Sequence, residues 1–208
     1  MKSHIITPRQ TEGPFYPDVL PPDTDNDLLV INDSSGLADG EIVHLQGVVR
    51  DSNGYPVENA SVEIWQTDNN MIYIHTGCPG QEKRDKNFQG FGRFITGPSG
   101  QYYFRTIKPL PYTLGGVTRA PHIHFIVRVG GKRMLTTQVF IKGHELNDTD
   151  MLLMEIRDRE AREALQPEYL PKNGKMDEFS VTFDIVLDEQ PEDPSWDIYK
   201  HMDGSLSE

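Results

Sequence analysis

Apolar positions along the chain recur mostly at every second residue, in short runs separated by glycine and proline. Ala60–Gln66 alternates most clearly, with Val62, Ile64 and Gln66 on one face of an extended segment and Ser61, Glu63 and Trp65 on the other. Glu41–Arg50 reads as a strand closed by the turn Asp51-Ser52-Asn53-Gly54. Arg93–Thr96, the turn Gly97–Gly100 and Gln101–Thr106 predict a hairpin, and His122–Val129 with Arg133–Ile141 predict another across Gly130-Gly131. Glu178–Leu187 predicts a last strand. Asp148–Leu165 departs from the alternation. Met151, Leu152, Met154, Ile156 and Leu165 fall mostly at helical spacing, Asn147 or Asp148 can cap the segment and Pro167 stops it, so one late helix is expected. The pattern predicts a mainly β fold, a β-sandwich of mostly antiparallel strands. Residues 1–208 read as a single domain: an irregular, Pro- and Asp-rich N-terminal arm over 1–40, a sandwich core over 41–187 and an acidic tail over 188–208.

Composition narrows the class. The 208 residues suffice for one substantial core, and 36% hydrophobic with 25% charged residues is ordinary for a globular domain. No run approaches the roughly 18–20 apolar residues of a membrane helix, and Met1–Gln10 has no apolar segment of the secretory type. Cys78 is the only cysteine, which rules out an intrachain disulfide or a multi-cysteine metal cluster and fits a reducing, cytoplasmic location. A net charge of -12 speaks against a nucleic-acid-binding face. Half of it sits in the tail, where seven acids face one base, Lys200, as expected of a solvated segment.

The sharpest local feature is Pro121-His122-Ile123-His124-Phe125. On a strand, residues i and i+2 share a face about 6.6 Å apart, so two imidazoles can converge on one metal ion; a hydrogen-bonded pair in the core is the competing explanation. The remaining ligands are open on these grounds. His44, His75 and His144 lie near strand ends, Glu63, Asp68 or Glu145 would complete a facial triad, and the phenols of Tyr73 and Tyr112 are hard donors suited to iron(III). Arg119, three residues before His122, can stabilise a developing anion there, or sit at a loop end as a surface residue. Gln138 lies on the strand expected to pair with the His-x-His strand.

Six segments, in this order and spacing, carry a family resemblance. They are Thr11-Glu12-Gly13-Pro14-Phe15-Tyr16, Gly47-Val48-Val49, Val62-Glu63-Ile64-Trp65-Gln66, Asn87-Phe88-Gln89-Gly90-Phe91-Gly92-Arg93, Tyr103-Phe104-Arg105-Thr106-Ile107-Lys108-Pro109 and Arg119-Ala120-Pro121-His122-Ile123-His124-Phe125. From Thr11 to about Leu187 the chain resembles the intradiol ring-cleavage dioxygenases, most closely the protocatechuate 3,4-dioxygenase subunits. The resemblance implies a β-sandwich enzyme that opens a catechol-type diol with O2 to a cis,cis-muconate-type diacid at one iron(III). It implies Tyr73, Tyr112, His122 and His124 as ligands, Tyr112 as the axial tyrosinate and base, and Arg119 and Gln138 as active-site residues. Gly13, Pro14, Phe15 and Tyr16 match a segment that lines the substrate pocket. Leu114 replaces an aromatic residue common two positions after the axial tyrosine, which predicts a pocket poorly suited to a carboxylate. The implied partners are the diol and O2, with a homo-oligomer in which the arm covers its own or a neighbour's site. A non-catalytic sandwich module would share the strand pattern but has no need of this set of side chains.

Overall fold

The computed structural model describes residues 5–32, 35–193 and 195. Among the described residues eleven strands are present: β1 Ile42–Arg50, β2 Ala60–Trp65, β3 Phe91–Ile95, β4 Gln101–Ile107, β5 Tyr112–Leu114, β6 Val117–Arg119, β7 His122–Val129, β8 Lys132–Phe140, β9 Leu170–Pro171, β10 Glu178–Thr182 and β11 Ile185–Val186. One sheet centres on β1, flanked by β4 on one side and by β10, β11 and β9 on the other; a second has the order β3-β2-β7-β8. The short β5–β6 hairpin stands apart. Val43, Leu45, Val49 and Phe104 of the first sheet pack with Val62, Ile64, Ile123, Phe125 and Val127 of the second in one buried core. These are the alternate positions that the period-two pattern assigns to one face.

Most pairings are antiparallel, as expected, but β10 and β11 both run parallel to β1. The hairpin expected of Arg93–Thr96 with Gln101–Thr106 does not form, because β3 pairs with β2 in one sheet and β4 with β1 in the other. The single strand expected over Glu178–Leu187 is two. β10 pairs with Ile42–Gln46 and β11 with Val49–Arg50, and the step between them falls at Gly47. A Cβ there would lie 1.9 Å from the Phe183 carbonyl oxygen, so only glycine fits where the two strands change over.

The late helix is also divided, into α1 Met151–Met154 and α2 Arg159–Ala164. Neither Asn147 nor Asp148 caps it. Asp150 caps α1, accepting from the Leu152 and Leu153 amides, and Asp158 caps α2 through the Ala161 amide. Only Leu152 and Leu153 are buried in α1 and nothing is buried in α2, so no continuous apolar stripe exists to hold one long helix.

The arm contains no strand among its described residues, in agreement with the pattern, yet it is firmly placed. The Gln10 amide donates to the Thr136 carbonyl and Thr137 Oγ1 donates to the Pro8 carbonyl. This covers the free edge of β8, which would otherwise expose a row of unpaired backbone groups. The first tail residues share that edge: the Glu192 amide donates to the Arg133 carbonyl, and Glu192 Oε2 accepts from Thr136 Oγ1 at 2.7 Å. Glu192 is buried, so the tail is not solvated throughout. Most of the remaining tail, residues 194 and 196–208, lies outside the described residues. No helix among the described residues is long and apolar enough to cross a membrane.

Candidate active site

The site forms on the face of the second sheet turned away from the sandwich core. Alternation along β7 sends Ile123, Phe125 and Val127 into the core and His122, His124 and Ile126 to the opposite face. Strand register places Trp65 of β2 and Gln138 of β8 on either side of His124. The Trp65 indole stacks on the His124 ring, with centroids 4.7 Å apart and planes 13° apart. A face that alternation alone would leave to solvent is thus buried; Glu63, Trp65, His122 and His124 are nearly inaccessible.

Loops bring the tyrosines onto this face. Tyr73 arrives from the connection between β2 and β3, which Asp68 organises. Asp68 Oδ1 accepts from the Asn70 and Ile72 amides at 2.8 and 2.9 Å, and its Oδ2 from the Asp85 amide at 2.6 Å. Tyr73 Oη lies 3.1 Å from His124 Nε2 and 3.3 Å from His122 Nε2, and the two Nε2 atoms are 3.2 Å apart. Tyr112, at the start of β5, completes the group. Its ring is 5.6 Å from both the Tyr73 and His122 rings, and its hydroxyl is in hydrogen-bond contact with that of Tyr73.

The protonation states follow from burial. His122 Nδ1 donates to the Ala120 carbonyl at 2.6 Å, which leaves the Nε2 lone pair directed at Tyr73. Burial first, then the Arg119 charge, holds the His122 pKa down at about 3. Burial and then His122 hold His124 well below its ordinary value. Burial pushes both phenols up; at Tyr73 the neighbouring Tyr112 adds to the rise, whereas at Tyr112 the Arg119 charge and the bond to Tyr73 oppose it. Two neutral imidazoles and two phenols therefore turn their donor atoms toward one another. This is a poor way to satisfy buried polar groups and a good way to hold a hard cation. The donor set fits a ferric ion, whose charge would compensate two phenolates.

Arg119 lies opposite Tyr112 across the β5–β6 hairpin. Its Nε donates to Asp150 Oδ2 at 2.9 Å and its Nη2 to Gln138 Oε1 at 2.7 Å. Gln138 Nε2 in turn donates to the Thr11 carbonyl at 3.0 Å. The arm thus lies over its own chain's site. Gly13, at φ 68°, passes so close that a Cβ would be 3.7 Å from His124 Cε1. Phe15 stacks on Tyr73 with centroids 5.3 Å apart, and Tyr16 donates to Glu63 Oε2 at 3.0 Å while packing edge-on against Trp65. Pro14 lies between Gly13 and Phe15 in this covering segment. Leu114 and Tyr112 pack on the same apolar cluster as Phe15, Ile72, Tyr73 and Cys78.

Of the other candidate ligands, Glu145 is exposed, and the rest are engaged elsewhere. His44 bonds Tyr103 and Glu178, His144 accepts from the Leu146 amide, and His75 accepts from the Gly77 amide while its ring packs edge-on to Phe15. Glu63 is paired with Arg93 and Arg128. Sequence reasoning missed Asp150, the counter-charge of Arg119, because its contact joins segments that no local pattern connects.

Comparison with known proteins places the chain in a family. A family model described as "Dioxygenase" matches residues 11–189. Hydroxyquinol 1,2-dioxygenase of Nocardioides simplex is 31% identical over 74% of this chain and 57% of its own length. The protocatechuate 3,4-dioxygenase beta chain of Burkholderia cepacia is 37% identical over 59% of this chain and 54% of its own. Identity is higher with the latter and the aligned stretch longer with the former, and the chain spans little more than half the length of either. The solved dioxygenase domain of a dioxygenase–carbohydrate-binding fusion from Streptomyces sp. SirexAA-E is 28% identical, with a TM-score of 0.66 over 88% of this chain and 99% of that one. With the family match running through nearly the whole sandwich and its covering arm, this chain belongs to the intradiol ring-cleavage dioxygenase family.

Proposed function

We propose that the chain cleaves a catechol-type diol with O2 between its two oxygenated carbons, giving a cis,cis-muconate-type diacid, and that Tyr73, Tyr112, His122 and His124 hold one ferric ion. The observation that carries this reading is the convergence of Tyr73 Oη and the two histidine Nε2 atoms within 3.3 Å of one another. Bound there, ferric iron would supply Lewis acidity toward the diol. The chain's own groups do the rest. Burial raises the proton affinity of Tyr112 Oη, which suits its phenolate to take the proton of a diol hydroxyl. Arg119, facing Tyr112, offsets the negative charge that builds on the ring as it reacts with O2. Gln138 keeps Arg119 in place, and Phe15 with the arm excludes water. On this reading the arm and the sandwich work as one domain, since both contribute side chains or backbone to the site.

The wall beside Tyr73 is apolar, made of Phe15, Ile72 and Cys78 with Ile74 and Leu114 packed on it, and Arg119 is already engaged by Asp150. Catechols with neutral or apolar substituents are therefore the expected substrates in preference to protocatechuate. The test is oxygen uptake by the iron-loaded protein on catechol, methylcatechols, hydroxyquinol and protocatechuate, with a visible spectrum. A red-brown protein that loses its colour in Tyr73→Phe is expected. A colourless iron-loaded protein overturns the tyrosinate assignment, and a clear preference for protocatechuate overturns the pocket argument.

A further inference from the structure

The Asp150 side chain is 0% exposed, and the reaction as proposed gives it no part. Its carboxylate is nevertheless fully engaged. Oδ2 accepts from Arg119 Nε at 2.9 Å and from the Ala120 amide at 2.8 Å. Oδ1 accepts from the Leu152 and Leu153 amides at 3.1 and 3.0 Å, and from Arg119 Nη2 at 3.4 Å. One carboxylate thus fixes the start of α1, the backbone that leads into His122, and one edge of the guanidinium.

The hydrogen bonds close into a ring. Arg119 Nη2 donates to Gln138 Oε1, and Gln138 Nε2 donates to the Thr11 carbonyl. The neighbouring Gln10 side chain donates to the Leu152 carbonyl at 2.8 Å, and the Leu152 amide returns to Asp150. Arm, β6, β8 and α1 meet in this circuit, with Arg119 as its cation.

We propose that Asp150 is the positioning residue of Arg119, holding the guanidinium beside Tyr112 and the histidines and tying that orientation to the N-terminal arm. Capping alone does not explain an aspartate here. Serine or asparagine caps a helix about as well, and α1 is four residues long. The negative charge matches Arg119, to which it presents two acceptor atoms in the fork geometry that arginine favours. An arginine side chain carries roughly 2 kcal/mol of rotamer entropy. A guanidinium fixed before the reaction stabilises developing charge better than one that must reorganise. The role rests on the proposed function for what Arg119 does; the ion pair stands apart from it.

The experiment compares the iron-loaded full chain with Asp150→Asn, Asp150→Ser, Arg119→Ala and the double variant Arg119→Ala/Asp150→Asn. Asp150→Asn and Asp150→Ser keep a capping oxygen and remove the charge. Both should retain iron and colour, lose kcat by roughly 10- to 100-fold and change KM far less. In the Arg119→Ala background, Asp150→Asn should lower kcat no further. Unchanged turnover in Asp150→Asn, or the same fractional loss with and without Arg119, overturns the proposal. Asp150→Ser carries the same comparison where Asp150→Asn fails to fold. Denaturation midpoints provide a readout independent of activity. Arg119→Ala strands a buried carboxylate, so the double variant should unfold at higher urea than Arg119→Ala alone. An equal or lower midpoint overturns the ion pair. A wild-type chain that folds, binds iron and cleaves no catechol overturns the proposed function instead, and leaves the midpoints to judge the pair.

Discussion

Removing the Arg119 side chain has two separable effects. Arg119→Ala should lower kcat by roughly 10²–10³, the usual loss when one fixed charge partner of a transition state is deleted. It should also destabilise the fold by about 3 kcal/mol, because Asp150 then remains buried without its counter-charge. Stopped-flow turnover and urea unfolding on the same preparation check both, and a variant as stable as wild type shows that Asp150 is compensated otherwise. The histidines give a pH signature. Burial holds His122 at a folded pKa of about 3 against an ordinary 6.5. The unfolded chain therefore takes up the proton first as pH falls. Stability is fully present above 6.5, declines through the interval down to about 3 and then levels off. Iron-stripped protein should unfold at lower urea at about pH 5.5 than at about pH 7.5, and His122→Asn should weaken that dependence, leaving the part that His124 contributes. A midpoint that stays constant in the stripped wild type refutes the assignment.

Among the elements, the arm is the one whose importance exceeds its appearance. It forms no strand, yet Gln10, Thr11, Gly13, Phe15 and Tyr16 each contact the sheet or its site side chains. Tyr16→Phe removes the bond to Glu63 and should cost about 1 kcal/mol, since Glu63 keeps Arg93 and Arg128. With the arm loosened, KM should rise while kcat holds; a fall in kcat alone contradicts a covering role. Gly47→Ala should destabilise by about 3 kcal/mol, because the backbone of Phe183 cannot easily yield; a thermal midpoint near wild type would show that the β10–β11 step is pliable. Strand positions were readable because alternation is a property of each segment alone. Alternation in β2 separated Glu63 and Trp65 from the core face correctly, but it could not say that the arm buries both. The late helix is divided where its spacing predicts one piece, because Asp150 and Asp158 each begin a new turn, a choice made by capping.

At the scale of the whole molecule, every group named in the site comes from a single chain, the arm included. Mixing a chain lacking residues 1–16 with an Arg119→Ala chain should therefore restore no turnover, even if the protein is a homo-oligomer. Recovery of activity would mean that arms exchange between copies. The sequence by itself determined the β character, the shared face of His122 and His124 and, through the family resemblance, the identity of the tyrosine candidates. The first two follow from the period-two geometry of a strand, which needs only neighbours in the chain. Tertiary structure decided which donors meet and what holds them. Tyr73 reaches His124 across 51 residues, Arg119 reaches Asp150 across 31, and Gln10 reaches Leu152 across 142. Such pairs arise only when distant segments pack, and a local pattern of polar and apolar residues carries no record of the partner that each polar group will find.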